Sequence, residues 1–289
     1  MWKPFVSFAV VALAAQASWS AQPYNLIVIQ TDEHNFRTLG CYRNTLTPDQ
    51  AFVWGPEAVV ETPHLDSIAE RGAICTSFYV NSPVCTPSRA AFFSGCYPQN
   101  TNAWQNDRPY DSRVVTWAQV LSDHGYASGY AGKWHLDGSG KPQWAPKRRF
   151  GFADNRFMFN RGHWKMFELN TDGPRVAALD RKGNPSYGIT GADEKSFATD
   201  WLCDRLLDFI DEHAGEPFCY HLSLPDPHGP NTVRPPYDTA FENTPVRPPM
   251  TFARTDANPK WAPINNKNGA KKFNASLMQA SFGMVACID

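Results

Sequence analysis

Five consecutive residues, Cys85-Thr86-Pro87-Ser88-Arg89, carry the sharpest chemistry in this chain. Thr86 can cap a helix and Pro87 can occupy its first turn, which predicts a helix through Ala90, Ala91 and Phe93 to Gly95, with Cys85 at its N-terminus. Such a position stabilises anions and depresses a thiol pKa, so the residues alone read as a thiolate nucleophile paired with His135 or His228. Three further polar clusters, Asp32-Glu33, Lys133-Trp134-His135 and Asp226-Pro227-His228, follow strand-like apolar runs. Together they suit a hard cation plus an oxyanion: carboxylates hold Ca²⁺ or Mg²⁺, and Arg, Lys and His meet the anion. Each cluster also has a plainer explanation. Adjacent acids after a strand form solvated turns, a His near prolines sits in a loop, and a cysteine packs in a core or forms half a disulfide.

The elements that must position these residues alternate between strand and helix, the pattern of an α/β layer architecture. Asn25–Gln30 is a continuous apolar run that suits a central strand buried on both faces. Further strands are expected at Ala73–Tyr79, Tyr126–Ala131 and Phe218–Leu224. Helices are expected after Thr62-Pro63 up to Gly72, after the capping box Thr116–Gln119 up to Gly125, and over Phe197 to His213. Four polar clusters, including Asn81–Arg89, thus lie beyond strand ends, where open parallel sheets bind ligands. The stretch from Lys141 to Asp193 lacks clean periodicity and reads as extended loops over the site, and Pro225–Pro263 is Pro-rich.

Composition limits the alternatives. The chain has 289 residues, 42% of them hydrophobic, which supports a sizeable core and excludes a disordered tail. Its 27 Lys and Arg against 28 Asp and Glu leave no surplus positive charge for a nucleic-acid or anionic-membrane binder. Residues 1–21 combine Lys3, the apolar stretch Phe5–Ala15 and small-residue cleavage patterns, so they read as a secretory signal peptide. No later stretch is long and apolar enough to span a bilayer, and the expected location is periplasmic or extracellular. Seven cysteines could form disulfides in an exported chain, with at least one left unpaired.

Cys85-Thr86-Pro87-Ser88-Arg89 resembles the signature of the type I sulfatases, formylglycine-dependent enzymes of the alkaline-phosphatase-like superfamily. Thr31-Asp32-Glu33, Leu39-Gly40-Cys41-Tyr42, Thr62-Pro63-His64-Leu65-Asp66, Gly132-Lys133-Trp134-His135 and Pro227-His228 match in the family's order. The resemblance implies a central, mostly parallel sheet flanked by helices on both faces. It also implies that residues 22–289 are the N-terminal part of the catalytic domain, with the C-terminal part missing. A maturation enzyme would oxidise Cys85 to formylglycine, whose hydrate attacks sulfur through one oxygen and later expels sulfate with the other.

The resemblance assigns Arg89 to holding the formylglycine, and Asp32, Glu33 and position 85 to Ca²⁺, with Mg²⁺ as the alternative. Lys133 and His228 would contact the sulfate, His135 would orient or deprotonate the hydrate, and His228 would help protonate the leaving oxygen. Glu33 departs from the Asp or Gln frequent at its position, and the family's second pair of metal ligands lies beyond this sequence. The expected substrate is a sulfated small molecule or glycan, with Trp104, Trp144 and Trp164 as candidate sugar platforms. The alternatives are a phosphonate monoester or phosphodiester hydrolase of the same superfamily, a remnant that only binds sulfated glycans, and a thiol hydrolase using Cys85.

Overall fold

The computed structural model describes residues 23–252 and 273–289, so the expected signal peptide at 1–21 lies outside the described residues. Four parallel strands form the main sheet in the order β1-β6-β2-β3, where β1 is Leu26–Gln30, β2 Ala127–Lys133, β3 Asp154–Phe159 and β6 Phe218–Ser223. β1 runs beside β6 with Leu26 opposite Cys219, and β6 runs beside β2 with Phe218 opposite Ala127. A small antiparallel hairpin, β4 (Phe167–Asn170) and β5 (Gly173–Val176), stands apart from it.

Seven α-helices accompany these strands among the described residues: α1 (Gly40–Arg43), α2 (Pro48–Ala51), α3 (Pro63–Arg71), α4 (Cys85–Ser94), α5 (Trp117–Asp123), α6 (Ala198–Glu212) and α7 (Ala275–Ile288). Both sheet faces are covered, as expected of an α/β layer fold. Trp201, Leu202, Leu206 and Phe209 of α6 follow helical spacing and pack on Ala131, Tyr220 and Leu222. On the opposite face, Ala90 and Phe93 of α4 and Ala118 of α5 pack with Tyr130, Trp134 and Phe152. Alternation along β2 sends Tyr130 to one core and Ala131 to the other, the period-2 pattern of a strand buried on both sides.

Three expectations need correction. Among the described residues β1 is an edge strand, and Leu26, Ile27 and Ile29 are exposed. The apolar run records what the strand can bury, and the described residues pair it on one side only. Ala73–Tyr79 is irregular, with Phe78, Tyr79 and Val80 open to solvent. A short apolar run without a ladder partner stays out of the sheet. Conversely, Lys141 to Asp193 contains β3, whose ladder partner β2 lies far earlier in the chain, and the local β4–β5 hairpin.

α5 begins as expected, with Thr116 Oγ1 accepting from Gln119 N, although the Gln119 side chain turns to Asp123 and does not close the box. All seven cysteines are unpaired. α7 packs Phe282 and Val285 against Trp54 and Val60, and the Asp289 carboxylate accepts from the Leu65 amide at the start of α3, 2.8 Å away.

Candidate active site

Since the four strands run parallel, their carboxyl ends share one rim, and side chains just beyond Gln30, Lys133, Phe159 and Ser223 meet there. Arg89 ties that rim together. It lies one helical turn after Cys85 on α4, and its Nη1 donates to the Lys133 carbonyl at 2.7 Å and to Ser223 Oγ at 2.8 Å. Its buried Nη2 has no hydrogen-bond partner and lies 3.8 Å from Asp32 Oδ2. Structurally, Cys85 is the first residue of α4 and Val84 is its N-cap. Thr86 does not cap the helix as the sequence suggested; its hydroxyl donates to the His135 carbonyl at 2.8 Å.

Lys133, wholly buried at the end of β2, aims its three ammonium protons at three groups. Its Nζ lies 2.5 Å from Asp32 Oδ2, 2.7 Å from His163 Nε2 and 3.5 Å from Cys85 Sγ. Gly132 makes this turn possible: at φ +104° a Cβ there would collide with the Ser223 carbonyl of β6. Burial alone would push the Asp32 carboxyl up, but the Arg89 and Lys133 cations beside it outweigh that and hold it well below the usual carboxylate range.

His135, in the left-handed region at φ +61°, is buried with Nε2 3.3 Å from Asp107 Oδ1. Its Nδ1 is buried without a partner. Burial, reinforced by the Lys133 charge, pushes this imidazole down to about 4 against the opposing pull of Asp107. The neutral ring that results carries its proton on Nε2, toward Asp107, and leaves Nδ1 as an acceptor.

His228 stands across the cleft with Nδ1 2.8 Å from the Gly229 carbonyl and Nε2 3.3 Å from Glu33 Oε1. Beneath it, the wholly buried Lys165 and Asp226 pair at 2.5 Å, and Lys165 Nζ also reaches the His228 carbonyl at 3.4 Å. The cavity between these walls has a volume of about 660 Å³ and is lined by Asp32, Glu33, Cys85, Arg89, Asn106 and His228 among others.

The structure therefore gathers Asp32, Cys85, Arg89 and Lys133 tightly, with His135 behind them and Glu33 and His228 opposite. Ca²⁺ takes about 6–8 oxygens. Here Asp32 Oδ2 already serves Lys133, Glu33 is 63% exposed, and no group of three or more His, Cys, Asp or Glu assembles for a metal among the described residues. These residues alone do not make a complete calcium site.

A sulfatase family model matches residues 24–287. The chain belongs to the sulfatase family. The ulvan-active sulfatase of Formosa agariphila is 28% identical over 214 residues, which cover 73% of this chain and 37% of that protein. The chain thus spans well under half the length of this curated sulfatase. Among solved structures, yidJ of Bacteroides fragilis matches at a TM-score of 0.62 and 20% identity over 92% of this chain and 56% of that one. A second protein, solved in complex with its substrate D-glucosamine-2-N,6-O-disulfate, matches at 0.55 and 20% identity over 80% and 40% of the two chains. These likenesses establish the alkaline-phosphatase-like fold of the sulfatases.

Sequence reasoning missed four residues of this sulfatase rim: His163, Lys165, Asn106 and Asp107. The cue for two of them was the basic and aromatic run Arg161-Gly162-His163-Trp164-Lys165, which begins two residues after β3. Of the three candidate sugar platforms, Trp144 and Trp164 are packed inside, while Trp104 is 48% exposed with the Arg108 guanidinium stacked 4.1 Å from its ring.

Proposed function

We propose that this chain carries the nucleophile-bearing N-terminal part of a sulfuric ester hydrolase acting on sulfated carbohydrate. The observation that carries the reading is a pair of buried cations, Lys133 and Arg89, gathered on Asp32, with the Lys133 ammonium 3.5 Å from Cys85 Sγ at the first residue of α4. Buried Lys and Arg in a cleft favour a tetrahedral anion, because low dielectric strengthens their attraction for charge developing on its oxygens. The carbohydrate class is supported by the relatives, one named for ulvan and one holding a disulfated glucosamine.

Formylglycine at position 85, made by a maturation enzyme, would supply the oxygen nucleophile that attacks sulfur. Lys133 would hold the sulfate oxygens while Arg89 keeps position 85 and the strand ends in register. His135 would accept a proton at Nδ1 with Asp107 orienting its ring. His228 would contact the sulfate and deliver a proton from Nε2 to the leaving oxygen. Asp32 and Glu33 are the carboxylates we assign to Ca²⁺ or Mg²⁺, within a site that needs further ligands. Among the described residues no helix is long and apolar enough to cross a membrane, and we assign the protein to the exported fraction on its N-terminal sequence.

Peptide mass spectrometry of protein from a maturation-competent host is the decisive test: residue 85 is expected as the aldehyde, and cysteine alone would remove the mechanism. Turnover of an aryl sulfate above that of an aryl phosphodiester by the same preparation is the expected specificity.

A further inference from the structure

We propose that His163 is a positioning residue that aligns the Lys133 ammonium and the His228 ring toward a single bound oxyanion. The inference rests on the sulfate-ester reading above and adds a residue that neither the signature nor its neighbouring motifs contain. His163 lies beyond the end of β3, the strand at the opposite end of the sheet from β1, yet it touches Lys133 and His228.

Two contacts carry the argument. First, Lys133 has only donors, so the 2.7 Å contact between its Nζ and His163 Nε2 makes Nε2 the acceptor and places the ring proton on Nδ1. Of the three Lys133 protons, Asp32 takes one and His163 another, and the remaining one is aimed at Cys85 Sγ. Without His163 the ammonium could rotate about its stem, since a flexible four-carbon chain fixes a point charge poorly. Second, the rings of His163 and His228 lie parallel, 3.5 Å between centroids and 9° between planes. This face contact sets the plane of His228, while its Nδ1 contact to Gly229 sets which nitrogen points outward. One imidazole thus fixes the direction of the cation on one wall and the plane of the proton donor on the other.

Inorganic sulfate is the probe, measured by calorimetry on the full chain, with aryl sulfate turnover as the second readout. His163→Ala is expected to weaken sulfate binding by about tenfold, the size of one hydrogen bond to a charged group. His163→Gln keeps an acceptor for Lys133 and His163→Phe keeps a face for His228, so each should recover part of the loss. They also supply folded variants should the alanine form be unstable. Combining His163→Ala with Lys133→Ala should cost clearly less than the product of the separate effects, because both remove one shared contact.

Multiplying effects, or sulfate binding by His163→Ala within about twofold of the parent, would overturn the proposal. Failure of the parent to bind sulfate would overturn it as well. A parent that binds sulfate but hydrolyses no sulfate ester removes the functional reading alone, and the sulfate series still decides the role of His163.

Discussion

Lys133 and Arg89 are enclosed in protein, whereas Glu33 and Val80, on the β1 side of the same cleft, stand in solvent. The first pair grows from β2 and from a helix packed on the sheet, with a dense aromatic core on either face. The second side hangs from a strand that the described residues pair on one side only and from an irregular segment whose large apolar side chains lie open. The difference teaches where precision resides. Cations that must hold an anion in fixed geometry are locked by burial and by bonds to three strand ends, while among the described residues the other side has few contacts to enforce a geometry.

Chemistry gives the widest test of that contrast. Cys85→Ala in the full chain should reduce sulfate-ester turnover by about 10³-fold or more while leaving thermal unfolding nearly unchanged. Steady-state kinetics and a melting curve on one preparation check both halves, and an unaffected rate would contradict the nucleophilic role. Next comes packing on the enclosed side. Phe209→Ala removes a ring held between Phe218, Tyr220 and His213 and should cost about 3–5 kcal/mol in denaturant unfolding. A loss under about 1 kcal/mol would mean that this core is not close-packed.

Protonation ranks third. His34 and His135 are both pushed down to about 4, chiefly by burial, so the unfolded chain binds more protons than the folded one between that value and about 6.5. Stability should therefore fall as pH drops through this window, by an amount on the order of 2 kcal/mol per histidine at pH 5. Unfolding measured at pH 7 and pH 5 checks the sign. In His34→Gln the difference should shrink, because glutamine binds no proton in this range, whereas the neutral His34 ring donates to Thr38 and accepts from Thr31 and must give up that pattern when it charges.

Smaller effects belong to the open surface. Trp104→Ala should raise KM for a sulfated oligosaccharide by about fivefold and leave a small aryl sulfate untouched, the signature of a platform that stacks on a sugar. Equal effects on both substrates would place Trp104 in general folding instead. Smallest of all, Ile29→Thr on the exposed face of β1 should shift stability by less than about 0.5 kcal/mol. A cost several times larger would show that this face is covered in the protein under assay, and the contrast between the two sides would then shrink.

Much of the site was legible in the chain because its residues sit immediately beyond elements with strong local signals. Asp32, Lys133 and His228 each follow a run of apolar residues that pairs in the sheet, and Arg89 follows Cys85 by one helical turn. What escaped has a common cause. β3 reads Asp154-Asn155-Arg156-Phe157-Met158-Phe159, half polar in its first turns, and becomes a strand through its ladder to Gly129–Lys133. Without β3 there was no reason to place His163 or Lys165 at the rim. The segment from Ala73 to Tyr79 failed in the opposite direction, with strand-like composition and no ladder partner among the described residues.

The sequence by itself determined the chemical inventory, the layer class and the order in which the rim is assembled, since apolar period and capping chemistry are local properties. Only the tertiary structure decided who touches whom. It gave Lys133 three recipients, moved Thr86 from helix cap to strand clamp and stacked His163 on His228 across 65 residues of chain. Contacts of that kind depend on which distant strand closes the neighbouring ladder, a choice that no window of adjacent residues contains.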